Sequence, residues 1–159
     1  MSYTTPIIDR TQSDITAKNS KAFLNVTDWE RIYENALETN NCIAAKTGTN
    51  VEFTEIGAIS TATVPTKTMV NTLCGNIENM RVWEESIFGL GLAAVKHNWL
   101  EGYSQPAPSY THVNQWENTV DKIYWAVDGL VLITAYIVDE NANQIVDENG
   151  NYLTTEILE

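Results

Sequence analysis

The sequence predicts an α+β protein, with a mainly helical body of three repeat-like amphipathic units followed by a C-terminal antiparallel β-meander. Three observations carry that expectation. A threonine-started apolar stripe at helical spacing occurs three times, at intervals of about 41 and 43 residues. An apolar, β-branched run of strand length occupies 130–138. An octad, Ile-Val-Asp-Glu-Asn-x-Asn-x, then occurs twice in succession, at 137–144 and 145–152. The helical body is expected over 1–128, with helices near 27–40, 66–86 and 111–127, and the meander over 129–159.

The first helix is signalled by Thr27 and Asp28 as N-cap candidates, by acids in the first turn, and by Trp29, Ile32 and Ala36 at helical spacing. Setting Thr68 on Thr27 places Val70, Leu73 and Ile77 on the same three apolar positions, and Asn76 on Asn35. Setting Thr111 there places Val113, Trp116 and Val120 on them, with Thr119 in the asparagine column. One amphipathic helix cannot bury its stripe alone, so the three are expected to pack on one another. Between the first two helices, Val51 and Phe53 alternate as in a short strand. Between the second and third, Gly102, Pro106 and Pro108 exclude helix.

Beyond Gly129 the periodicity changes from helical to extended. The run from Leu130 to Val138 reads as a first strand, Asn149-Gly150 as a hairpin turn, and Tyr152 to Leu158 as a last strand. Three strands with no covering helix are marginal alone. They are therefore expected to pair with another copy or another protein, with Leu132, Tyr136, Val138, Ile145, Tyr152 and Ile157 as the candidate assembly residues.

The chain of 159 residues carries a net charge of −12. Residues 123–159 contribute seven acids and no base to it. Such a charge opposes binding to nucleic acid or to an anionic membrane. The N-terminal Met1-Ser2-Tyr3-Thr4-Thr5-Pro6 shows no signal peptide. Cys42 and Cys74 lack a CxxC setting and read as buried free thiols.

Residues for chemistry are sparse. His97 and His112 stand 15 apart without a zinc pattern, the serines lack a nucleophile-elbow context, and Gly89-Leu90-Gly91 is too short to cradle a phosphate. Asp147 opens a D-x-N-x-N run. A calcium loop would need Gly where Tyr152 stands and Glu where Leu158 stands. No catalytic residue, metal ligand or cofactor is expected. Of the five tryptophans, Trp29 and Trp116 fall on the stripes, whereas Trp99 and Tyr103, beside the Gly/Pro connector, are candidate ligand contacts for stacking on a sugar.

Thr27-Asp28-Trp29-Glu30-Arg31-Ile32-Tyr33-Glu34-Asn35 resembles the TDLNRIExN helix of small structural proteins from phages and prophages of Gram-positive bacteria. Tyr110 to Asn118 is similar to their YTDVNRWEN helix, and Asp9-Arg10-Thr11-Gln12-Ser13-Asp14 to their DRTQADV start. The Ile-Val-Asp-Glu-Asn-Gly-Asn-Tyr unit resembles octads of tail-associated proteins. The chain departs from the pattern at Gln115, where the family has Arg, and in the middle unit, which lacks both Asp and Arg. The resemblance implies a non-enzymatic virion component of the tail, baseplate or fibre, assembled in the bacterial cytoplasm. Its partners would be copies of itself and other virion proteins, with no nucleic acid or membrane. The alternative is a carbohydrate-binding module on the same particle that recognises a host surface glycan. A small hydrolase or lyase using scattered carboxylates is a third reading.

Overall fold

A computed structural model describes residues 2–21, 25–57, 65–99 and 108–130, and the backbone of 132–136 and 154–158. Among the described residues it holds four helices, α1 Gln12–Ala17, α2 Val26–Thr47, α3 Lys67–Ile87 and α4 Tyr110–Asp128, and two strands, β1 Leu132–Tyr136 and β2 Thr154–Leu158. Each long helix begins on a local cap. Asn25 Oδ1 accepts from Asp28 N while Asp28 Oδ2 accepts from Asn25 N, a reciprocal capping box that starts α2 two residues before Thr27. Thr66 Oγ1 caps α3 through Met69 N, and at α4 the Ser109 N–H donates to Nδ1 of His112 at 3.1 Å.

The three apolar stripes face one another. Trp29, Val70 and Val113 are buried, as are Ile32, Leu73 and Trp116, and then Ala36, Ile77 and Val120. The same spacing continues beyond the expected stripe to Thr39, Met80 and Ile123, and to Ile43, Glu84 and Val127, all with 0% exposure. The helices are parallel. Trp29 meets Trp116 at one end of α2 and α4 (ring centroids 6.3 Å apart), and Lys46 Nζ reaches the Asp128 and Leu130 carbonyls at the other.

Parallel helices need the chain to return between them, and extended arms do this. An extended residue advances about 3.3 Å and a helical one about 1.5 Å, so roughly half as many residues retrace a helix. The arms are 2–10 in the groove between α2 and α4, 51–57 against α2 and α3, and 92–99 between α3 and α4. Each runs antiparallel to its helices. Asparagine amides hold them, since one side-chain amide can both donate to and accept from a backbone. Asn35 pairs with Thr4 (2.9 and 2.7 Å) and Asn76 with Thr54 (2.9 and 2.8 Å). Asn71 pairs with Trp99 (2.7 and 2.9 Å) and Asn114 with Arg10 (3.3 and 2.9 Å). Asn35 and Asn76 share one repeat register, and Asn71 and Asn114 share another.

The expected α+β class with a C-terminal β-meander is corrected by these elements. The body is helical, with α1 as a fourth helix, and no strand occurs among its described residues up to Leu130. The arm at 51–57 is not a strand, because the side chains of Asn76 and Asn79, rather than a neighbouring strand, take its backbone groups. After Leu130, β1 pairs directly with β2 in an antiparallel register, Leu132 opposite Leu158 and Tyr136 opposite Thr154. A three-stranded meander would place a middle strand between its first and third, so this two-stranded ribbon is not one. Alternation marks a segment as extended, but pairing is a long-range choice that alternation does not encode. Val138, Ile145 and Tyr152 lie outside the described residues. No helix among the described residues is long and apolar enough to cross a membrane.

Candidate functional site

The strongest concentration of charge is buried beneath the first arm. Glu117 Oε1 lies 2.9 Å from Arg10 Nη1 and accepts from Arg31 Nη2 at 2.8 Å. Its Oε2 accepts from Arg31 Nε at 3.1 Å and from the Ile7 N–H at 2.6 Å. Asp28 Oδ1 completes the set, 3.2 Å from Arg10 Nη2 and 2.6 Å from Arg31 Nη2. Two guanidiniums and two carboxylates thus neutralise one another out of water, as buried charge requires. The two carboxylates hold Arg31 above its ordinary range against the opposing effect of burial. Asp28, Arg31 and Asn35 come from the first resembling motif, Asn114 and Glu117 from the second, and Arg10 from the third. This cluster latches the first arm onto α2 and α4.

A second ion pair does the same for the third arm. Arg81 binds Glu78 through Nε and Nη2 (2.8 and 2.7 Å), and Glu78 Oε2 also takes the Val95 N–H at 2.7 Å. Against the upward effect of burial, those bonds keep Glu78 below the usual carboxylate range. Gln115 donates to the Ala93 and Ala94 carbonyls.

An open cleft of about 380 Å³ lies where the first arm crosses the last turns of α4. Ser2, Tyr3, Thr5, Pro6 and Ile8 line one side, and Asp121, Tyr124 and Trp125 the other. Tyr3 stacks on Tyr124 with centroids 3.9 Å apart and planes within 10°. The Trp125 ring stands at 69° to Tyr3 and 79° to Tyr124. Asp121 Oδ1 ties these rings together, accepting from the Tyr3 hydroxyl at 3.2 Å and from Trp125 Nε1 at 3.1 Å. Burial and the nearby Asp121 charge push the Tyr3 phenol well above its ordinary range, so it stays a donor. Trp125 is 58% exposed.

Trp99 is not the surface platform expected of it. It is 6% exposed, its Nε1 donates to the Lys96 carbonyl, Lys96 Nζ sits 4.1 Å from its ring centroid, and His112 meets it edge-on at 4.9 Å. Asn71 holds the arm in a position that turns this indole inward. Tyr103 lies outside the described residues. Leu132 and Tyr136 lie on β1 and Ile157 on β2, with Ile157 opposite Ile133. Both cysteines are free thiols, and burial pushes Cys74 up to about 12. Among the described residues, no three of His, Cys, Asp and Glu converge as a metal would require.

No sequence motif marks Tyr3, Asp121, Tyr124 and Trp125 as a group. One signal was present, since Trp125 falls off the stripe defined by Val120, Ile123 and Val127. The chain matches no family model, no curated protein and no solved structure.

Proposed function

We propose that this protein is a non-enzymatic structural or adaptor component of a phage virion or phage-derived particle, in the tail, baseplate or fibre region, and that it works by assembling with copies of itself and with other virion proteins. The observation that carries this reading is the meeting of the three resembling motifs in one buried latch. Their polar residues, Arg10, Asp28, Arg31, Asn35, Asn114 and Glu117, hold an arm onto two helices. Motif residues that hold an arm onto two helices support a scaffolding reading.

Assembly needs a surface, and the C-terminal end of α3 offers one. Val82, Ile87 and Leu90 are exposed apolar side chains within nine positions of one another, next to the edge-to-face pair Trp83 and Phe88. Apolar side chains left exposed near one helix end are available to an interaction surface. The glycan-binding alternative rested on Trp99 and Tyr103, of which Trp99 is 6% exposed and Tyr103 lies outside the described residues.

The reading is tested by mass spectrometry of particles purified from the lysogen that encodes the chain, where this protein should copurify in a fixed ratio to known tail proteins. Sedimentation of the purified chain should show concentration-dependent association, weakened in Val82→Asp/Ile87→Asp without a change in melting temperature. Absence from the particles overturns the virion assignment, and a monomer at every concentration overturns self-assembly.

A further inference from the structure

The cleft between the first arm and α4 is built from π faces and one carboxylate, with no basic residue in its lining. That is an uncommon composition on a surface, and it selects by charge. Trp125 stands at a steep angle beside the Tyr3–Tyr124 stack and is largely exposed, so a group in the cleft meets its ring together with the stacked tyrosines. Asp121 stands between them, and both of its ring-tethering bonds fall on Oδ1. Thr5, Pro6 and Ile8 add aliphatic surface at the rim.

We propose that this cleft is a binding site for a small organic cation bearing a quaternary ammonium group, of the size of choline or tetramethylammonium. A quaternary nitrogen carries its charge under a shell of methyl groups. It therefore gains from aromatic faces and aliphatic walls without needing hydrogen-bond acceptors. The Asp121 carboxylate supplies the counter-charge, in a cleft shielded on one side by protein. An anion is disfavoured, because the nearest base in sequence, Lys122, is exposed and does not line the cleft. The rings are already oriented before any ligand arrives, since the tryptophan N–H and a tyrosine hydroxyl are both tied to Asp121. Such preorganisation lowers the cost of binding. The site exists only while the first arm is docked, because Tyr3 is a residue of that arm.

The experiment uses the full chain, labelled with ¹⁵N, and follows the Trp125 indole N–H resonance, assigned by its disappearance in Trp125→Phe. Titration with tetramethylammonium chloride or choline, at constant ionic strength set with sodium chloride, should shift that resonance saturably. The neutral isostere of choline, 3,3-dimethylbutan-1-ol, should bind at least about tenfold more weakly. Asp121→Asn keeps an oxygen for both tethering bonds and should weaken cation binding by about tenfold. Thr5→Lys, at an exposed rim position that makes none of the tethering bonds, should abolish cation binding while the tryptophan near-ultraviolet circular dichroism is kept. Equal affinity for cation and isostere overturns the proposal, as does an unaltered affinity in both charge variants. A Trp125 resonance that moves with neutral saccharides and not with the cations also overturns it.

Discussion

Glu117 shows how much one side chain does in this protein. Its two oxygens take up Arg10, Arg31 and the Ile7 N–H, so its loss leaves two guanidiniums without their main counter-charge. Breaking a buried pair from one side costs about 3–5 kcal/mol, and Glu117→Ala should show a loss of that order in urea unfolding. Glu84 is a different case. It sits in the repeat register of Ile43 and Val127, fully buried, with Oε1 on the Leu90 N–H and no partner on Oε2 among the described residues. Glu84→Gln keeps an oxygen for Leu90 but sets an amide NH2 donor where Oε2 has no described partner, so the denaturation midpoint should fall, by about 1 kcal/mol. Asp14 gives the acid response its direction. Hydrogen bonds from Asn19 and Thr11 lower it from 3.8 to about 2. A carboxylate depressed on folding stabilises the native state above its unfolded pKa, and that contribution is lost as pH falls through the folded value. Thermal melts of the native chain should therefore lose stability between about pH 4 and about pH 2, with a shallower slope in Asp14→Asn.

At the scale of the element, the device that recurs is an asparagine on a helix clasping an extended arm. Asn35→Ala and Asn76→Ala each remove two bonds to backbone and leave that backbone partly unpaired, at an expected cost of about 1–3 kcal/mol each. They act on different arms, so in the double variant the costs should add when both are measured by the same chemical denaturation. The helix ends depend on backbone geometry as well. Gly48 ends α2 at φ +68, with open space where a Cβ would be, so Gly48→Ala has no clash but adopts a disfavoured conformation. It should destabilise by about 1 kcal/mol. The amide columns were visible as a repeat before their purpose was. Asn35 and Asn76 align in sequence, but nothing local says that Thr4 and Thr54 are what they hold.

At the scale of the molecule, three parallel helices and three returning arms form one core that extends from Trp29 to Leu130. Tyr3 of the first arm and Val51 and Phe53 of the second pack against it, while Val95 and Trp99 of the third belong to it. Deleting residues 2–10 should abolish the near-ultraviolet circular dichroism of the tryptophans, because it opens the groove over Trp29 and Trp116 and leaves Glu117 and Arg31 uncovered. Ending the chain after Leu130 should preserve that signal, since every helix keeps its neighbours. The period of about 41 to 43 residues follows from this architecture, as a helix of about 20 residues plus the arm and turns that return the chain to the next start.

The sequence by itself determined where each long helix begins, to within about a residue, and which face of each is apolar, while it ended the first near 40 and α2 continues to Thr47. These are consequences of 3.6-residue periodicity, which any short stretch of chain displays on its own. Tertiary structure decided which arm enters which groove. It also turned Trp99 inward and Trp125 outward, left a two-stranded ribbon in place of the expected meander, and brought Tyr3 across to Asp121 and Tyr124. Each of those outcomes is a pairing between residues far apart in the chain. Pairings of that kind are set by which packed arrangement buries the most surface while satisfying every buried donor and charge, a property of the whole fold that no local pattern contains.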